Sequence, residues 1–442
     1  MSINFGLSRI TNILSALRDP HKNFRVFHVA GTNGKGSICA YLASILTKAS
    51  YTTGRFTSPH LLYPRDSITI DGKAVSQKLF DDAYGLVKSV SSRIDQGSAT
   101  NFELLTATAF EIFSRRKVDV AVIEVGMGGT HDATNVDYKR KGVGATIISH
   151  IAIDHQAYLG EKLTDIAKHK AGIMRHRVPC VLDGTNEPKV LKVLKATATD
   201  PSSLAYTTVE LANGARRTQQ YLYTVKFGRI RLGGGPLHGI FQIRNQALAI
   251  KALDVCARKF PRVNVKAIRQ GIANVKWPGR LQILPSSLFT GDEQRQQNVI
   301  LDGAHNVVAG RVAMRYLRQL KRQYPDQPVT WIVALSGDRD PDQLFKLWFK
   351  ENDRVIAVPF KPVEMMPWVK PMDLDVLLES AAKLVGRERV IGMSGNILDV
   401  IANACNDNPD SALVVVIGSL YLVGDVLRGL VESGRMKLDD LM

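Results

Sequence analysis

The stretch His28-Val29-Ala30-Gly31-Thr32-Asn33-Gly34-Lys35-Gly36-Ser37 decides how the rest of the chain is read. Phe24 to Val29 is a short, β-branched apolar run that predicts a buried strand, and Ser37 to Ala49 predicts a helix. Gly31, Gly34 and Gly36 let backbone N–H groups turn toward an anion, and the helix start behind them adds partial positive charge. Thr32 and Asn33 complete the turn, Lys35 is placed to neutralise phosphate, and Ser37 offers a hydroxyl to Mg2+. A glycine-rich turn without a ligand is the plain alternative; strand, glycines, lysine, hydroxyl and helix in this order favour phosphate. In the usual P-loop the lysine is followed directly by Ser or Thr. Here Gly36 intervenes and the first glycine stands closer, which points away from ordinary kinases and GTPases.

Working outward, the same alternation of strand and helix continues. Val118 to Ile123 and Ala145 to Ile148 read as parallel strands, with helices over Phe102 to Arg115 and Lys162 to Arg175. A polar stretch at 285–298 lacks apolar periodicity and reads as a linker. Beyond it, Val299 to Leu301, Thr330 to Leu335, Arg354 to Val358 and Leu413 to Ile417 read as strands. Val308 to Tyr324 and Asn396 to Cys405 read as helices. The expectation is an α/β protein. A doubly wound, mostly parallel P-loop domain at 1–284 precedes a smaller Rossmann-like domain at 299–442.

Composition narrows the class. A 442-residue chain is too long for one compact core. No apolar run reaches the roughly 18 residues that span a bilayer, so no membrane partner is expected. The net charge of +17 invites a nucleic-acid reading, but the basic residues are scattered, in short clusters such as Lys139-Arg140-Lys141, without interleaved aromatics. Anionic small substrates account for it as well. Cys39, Cys180, Cys256 and Cys405 are far apart and lack metal spacing, as free thiols in a reducing compartment would be. Leu7, Ile10, Ile13, Leu14 and Leu17 fall at helical spacing, so the start reads as an amphipathic surface helix. A mitochondrial presequence is the alternative to a cytoplasmic protein.

Several side chains carry two readings each. Ser58, before Pro59, is a turn residue or a hard-metal ligand. Glu124 ends Val118 to Ile123 at a strand's carboxyl tip, where open α/β sheets hold ligands; it is a capping acid or a Mg2+ ligand. His155 follows a strand expected over Ala145 to Ile153 and is a ligand or a structural hydrogen-bonder. Lys170, near a helix end, reads as a surface lysine favoured by the dipole. Arg280, at the domain junction, suits phosphate through its planar fork of donors, or is a surface arginine. Asp302 ends another strand. Phe102 opens an apolar helix face and is either core or a stacking platform.

GTNGKGS at 31–37 belongs to an ordered set of blocks: TSPHL at 57–61, EVGMGGTHDATN at 124–135 and HIAIDHQAYLG at 150–160. KAGI at 170–173, WPGRLQ at 277–282, LDGAHN at 301–306 and GSLYLVG at 418–424 complete it. Together they resemble the folylpolyglutamate synthase and dihydrofolate synthase family, relatives of the Mur ligases of cell-wall synthesis. The resemblance implies an ATP-dependent carboxylate–amine ligase. It implies Mg2+ held by Ser58, Glu124 and His155, with Ser37 near the nucleotide phosphates, and Lys170 converted by CO2 to a carbamate. A monovalent cation is a further family-type expectation. ATP would be met by the loop, Arg280, Asp302 at the ribose, His305 at the phosphates and Asn245 at the adenine. A pterin would lie near Thr100, Phe102, Asp132 and Ala133.

Within the family the DATN block looks like the dihydrofolate synthase version, implying dihydropteroate and L-glutamate as substrates and a monomeric enzyme. Pro64-Arg65-Asp66-Ser67-Ile68 departs from the usual Arg-Glu-Arg-Ile by placing Ser67 where an arginine stands. Polyglutamate extension of reduced folates, or both activities, is the alternative. From other classes, a P-loop ATPase acting on nucleic acid lacks a legible stacking platform or basic stripe. A non-catalytic nucleotide binder is disfavoured by the intact Lys35, Ser37, Glu124, His155, Lys170 and Asp302.

Overall fold

Strand β1 (Arg25–Ala30) lies between two strands that come later in the chain, and this placement opens the site. The computed structural model describes residues 6–95, 98–139, 141–207, 220–322, 327–408 and 412–442. Of the sequence features above, Met1 to Phe5, Arg140, Gln323 and Tyr324 lie outside the described residues. The first sheet comprises β1, β2 (Thr53–Phe56), β3 (Ile68–Ile70), β4 (Lys73–Ala74), β5 (Val120–Glu124), β6 (Val143–Ile148), β7 (Cys180–Asp183) and β8 (Leu204–Thr207). Its order is β4-β3-β2-β5-β1-β6-β7-β8, parallel except for the β2-β3-β4 edge. Both faces of β1 are covered, which is why Val26, Phe27, Val29 and Ala30 do not alternate with solvent-facing residues and even His28 is buried. Phe27 and Val29 pack with the helices Lys35–Lys48, Phe241–Val255 and Val265–Ala273. Val26 packs on the other side with Ser8–Ala16, Gln77–Asp95 and Asn101–Arg115. Ile10, Ile13 and Leu14 of the first helix are fully buried, as its spacing predicts.

A two-stranded hairpin follows, β9 (Tyr221–Thr224) with β10 (Gly228–Arg231). The second sheet contains β11 (Gln282–Pro285), β12 (Asn298–Asp302), β13 (Val329–Val333), β14 (Arg354–Ala357), β15 (Val390–Gly392) and β16 (Leu413–Ile417). Its order is β11-β12-β16-β13-β14-β15, with only β11 antiparallel. This corrects the expected linker. Pro285 pairs with Asn298 and a helical turn spans Ser287–Thr290, so 285–298 is the connection of a hairpin inside the second sheet. Its polarity reflects a solvated connection, not a boundary. β11 falls within the residues read as the first domain yet pairs with the second sheet.

Two further bounds differ. β6 stops at Ile148 rather than Ile153, because the backbone at 149–152 is hydrogen-bonded to the phosphate loop instead of continuing the ladder. The helix expected over 162–175 spans only Leu163–Ala171; Gly172 ends it, packed against Thr130 with no room for a side chain. All four cysteines are free and buried. Among the described residues no helix is long and apolar enough to cross a membrane.

Candidate active site

The carboxyl ends of β1, β5 and β6 meet at one edge, and the phosphate loop leaves from the middle one. Gly34 caps the following helix with a left-handed backbone (φ 89°) that disfavours any residue with a side chain. Gly36 has no unusual φ; it is glycine because a Cβ would overlap the indole of Trp277. The inserted glycine thus marks the place where the segment leading to the second sheet lies on the helix start. The loop is fastened from β6: Thr32 N–H donates to the His150 carbonyl at 2.9 Å, and the Ser149 hydroxyl donates to the Asn33 carbonyl at 2.8 Å.

Glu124, the last residue of β5, pairs in register with Val29, so strand geometry alone sets its carboxylate beside the loop. Its Oε1 lies 3.8 Å from Lys35 Nζ, and its Oε2 accepts the Ser58 N–H at 3.3 Å. Burial pushes this carboxyl up, while Lys35, the Ser58 N–H, Arg280 and Arg55 oppose the shift. Lys170 is not the surface lysine that its helix position suggests. It is 4% exposed and its Nζ donates to the Gly31 carbonyl at 2.8 Å. Burial, aided by the charge of Lys35, lowers its pKa to about 7.

The second sheet supplies the opposite wall. Asp302 ends β12 and accepts the Leu281 N–H and the Ala304 N–H, each at 2.8 Å. Burial raises its pKa against Arg280 and these two N–H groups. Arg280 is the cation facing both Asp302 and Glu124; its Nη1 donates to the Gly279 carbonyl at 3.0 Å. The His305 ring nitrogen Nδ1 lies 3.0 Å from the Gly303 carbonyl, and burial lowers its pKa to about 4. His305 is therefore neutral at physiological pH and available as a hydrogen-bonding ring.

Not every expected residue converges. His155 stands at the rim, exposed, with a left-handed backbone (φ 53°) and its Nε2 3.9 Å from Asp154 Oδ2. It lies seven residues beyond the end of β6 at Ile148, not at a strand tip. Asn245 packs against Gly34 and donates to Gln242 Oε1 at 2.9 Å, while Gln242 Nε2 reaches Ser37 Oγ at 3.3 Å. The start of that helix therefore lies on the phosphate loop. Phe102 stacks on Phe56 (centroids 6.0 Å apart) and covers Gly126, two residues past Glu124. Thr100 caps the helix Asn101–Arg115. Asp132 accepts the Met127 N–H at 2.9 Å and the Thr134 N–H at 3.0 Å, so both oxygens already tie the glycine-rich loop. Ala133 is buried beside it.

Four residues escaped the sequence reading. Asp154 and Arg339 form an ion pair at 3.1 Å between the two halves of the chain. Asn306 Nδ2 donates to Asn33 Oδ1 at 3.4 Å. Arg55, buried in β2, lies over the Trp277 ring at 5.0 Å with Nε and Nη2 unpartnered. Among the described residues no group of three or more His, Cys, Asp and Glu side chains comes together as a metal site. The donors present are the Ser37 and Ser58 hydroxyls and the Glu124 carboxylate, a hard oxygen set of the kind Mg2+ prefers, which nucleotide phosphates would complete.

This architecture has close counterparts. The family model for the Mur ligase middle domain matches residues 29–253, and that for the C-terminal domain of dihydrofolate synthetase matches 286–429. A probable dihydrofolate synthetase of Schizosaccharomyces pombe is 38% identical over 97% of this chain and 99% of its own. The dihydrofolate synthetase of Saccharomyces cerevisiae is 35% identical over 97% and 98%. Among solved structures, Mycobacterium tuberculosis folylpolyglutamate synthase complexed with ADP and AMPPCP superimposes with a TM-score of 0.78. It is 30% identical over 96% of this chain and 95% of that one. With two full-length relatives above 30% identity and a matching middle-domain family, the chain belongs to the dihydrofolate synthase and folylpolyglutamate synthase family of Mur-type ligases.

Proposed function

We propose that the chain joins L-glutamate to 7,8-dihydropteroate at the expense of ATP, giving dihydrofolate, ADP and phosphate. The observation that carries this reading is the convergence of Lys35 from the first sheet and Arg280 from the junction on Glu124. That is a focus of positive charge around one carboxylate, with Lys35 from the phosphate loop and Arg280 from the segment leading to the second sheet. A carboxylate is a poor electrophile, so it must be activated. The pteroate carboxylate attacks the γ-phosphorus of ATP, the bond to the β,γ-bridging oxygen breaks, and an acyl phosphate and ADP form. The glutamate amine then attacks the acyl carbon; phosphate leaves and the amine loses a proton. Lys35 and Arg280 offset the charge that builds on the transferring group, and the loop N–H groups hold its neighbours in line. Mg2+ held by Ser37, Ser58 and Glu124, with His155 at the rim, supplies further charge neutralisation when bound. His305 sits by the phosphates and Asp302 by the ribose, with Asn245 at the loop side of the nucleotide.

Lys170 is the carbamate site in this reading. CO2 reacts with a neutral amine, and a buried lysine with a pKa of about 7 is substantially neutral at physiological pH. The amine adds to the carbon of CO2 and loses a proton, so a neutral amine becomes an anion beside the phosphate loop. A monovalent cation is a further element of the proposal.

Substrate choice rests on the higher identity to the two dihydrofolate synthetases than to the polyglutamate synthase structure. Ser67 supports it: the side chain is buried and its hydroxyl is spent on the Pro64 carbonyl at 2.6 Å, so this position offers no positive charge to a glutamylated tail. Thr100, Phe102, Asp132 and Ala133 mark the pterin end. The four buried free thiols suit a reducing compartment, the cytoplasm or the mitochondrial matrix, and we take the protein as a monomer. Purified protein with ATP, Mg2+ and glutamate is offered dihydropteroate or tetrahydrofolate in parallel. Phosphate release with dihydropteroate is expected. Release with tetrahydrofolate alone reassigns the chain to tail extension, and release with neither removes the ligase reading.

A further inference from the structure

The loop that carries His155 is fastened at both ends. At its start, the Asn33 N–H donates to the His150 carbonyl at 3.3 Å, and the Ala152 N–H to Thr32 Oγ1 at 3.0 Å. At its end, Asp154 Oδ1 accepts from Arg339 Nη1 at 3.1 Å, and the two side chains are 9% and 20% exposed. Arg339 lies on the loop that follows β13, so this pair joins the second sheet to a segment hydrogen-bonded to the phosphate loop. A partly buried ion pair is weak evidence for stability, because desolvation offsets much of the attraction. Its value lies in placement, since a charged partner left alone there is costly and the two loops are held to one arrangement. A second link, Asn306 to Asn33, starts from the residue that follows His305.

We propose that Arg339 is a positioning residue for phosphoryl transfer. Through Asp154 it registers the second sheet, which carries Asp302 and His305, against the phosphate loop, which carries Lys35. This rests on the ligase reading, which wild-type turnover tests by itself; the variants test the pair, using whichever pteroyl substrate the wild-type protein accepts.

Arg339→Met keeps length and removes charge. Its expected effect is a loss in kcat of about thirtyfold, on the scale of roughly a hundredfold for a displaced catalytic geometry. KM for ATP should stay within about twofold. Arg339→Lys should recover most of the rate. Asp154→Asn should lower kcat similarly, and the double variant should be no worse than either single one, as for two residues acting as a unit. Should Arg339→Met not fold, Arg339→Lys and Asp154→Asn still carry the comparison. Multiplying losses in the double variant would overturn the proposal. So would a raised KM for glutamate at unchanged kcat, which would make Arg339 a substrate contact.

Discussion

Replacing Gly36 with alanine separates two effects of opposite sign. As a residue in the first turn of the helix Lys35–Lys48, alanine should gain about 1 kcal/mol in helix propensity over glycine. Against this, the new Cβ would lie 3.0 Å from Trp277 Cε2 and 3.1 Å from Cη2, with Cζ2 closer still. Ordinary carbon–carbon contact is about 3.5–4.0 Å, so the nearest atom, Cζ2, requires the indole to retreat by more than about 1 Å. It cannot do so freely, because Arg55 lies on its ring at 5.0 Å. Overpacking of this kind costs about 1–3 kcal/mol, so the net stability loss should be about 0–2 kcal/mol, the difference of those two ranges. Activity should suffer more. Trp277 begins the short segment that delivers Arg280, and a shift of this size should lower kcat by about 10- to 100-fold. The assay is steady-state phosphate release for Gly36→Ala beside the wild type, with thermal melting as the control. Adding Trp277→Leu should restore part of the rate by vacating the overlap. A Gly36→Ala protein with wild-type kcat would refute the view that this glycine exists for Trp277.

Four further outcomes follow from the site. Lys170→Ala should lose activity and regain part of it with millimolar acetate or formate, and an unrescued but fully active variant would remove the carbamate. In the wild type, rate at limiting bicarbonate should fall as pH drops through about 7, because protonated lysine does not react with CO2, and added bicarbonate should oppose the fall. The same lowered pKa makes Lys170 bind fewer protons folded than unfolded between about 7 and its ordinary value, so its contribution to stability rises with pH across that window, a slope that denaturant titration at several pH values reads. Asp302→Asn leaves one of two buried backbone N–H groups facing an amide donor, and should cost about 1–3 kcal/mol of stability with raised KM for ATP.

The strands were legible where burial on both sides imposes an unbroken apolar run; Leu413 to Ile417 matches β16 at both ends. Sequence periodicity misled at 149–153, where Ile151 and Ile153 continue an alternation that the backbone abandons for the phosphate loop. It misled again at 285–298, where a polar hairpin connection has the composition of a linker. At the site, Glu124 and Asp302 were readable because a strand end fixes where its last side chain goes. Lys170 was not, since its helix position argues for solvent and only the packed loop buries it. Asp154 and Arg339 lie 185 residues apart, and nothing local to either names the other.

The stretch 274–281 joins the helix Val265–Ala273 to β11, and it contains Trp277 and Arg280. The connection between the two halves and the guanidinium that faces Glu124 and Asp302 are therefore one piece of backbone. Whatever fixes this connection in place fixes Arg280 as well. The two sheets and the cation between them cannot be positioned independently, so a substitution anywhere along 274–281 acts on both at once.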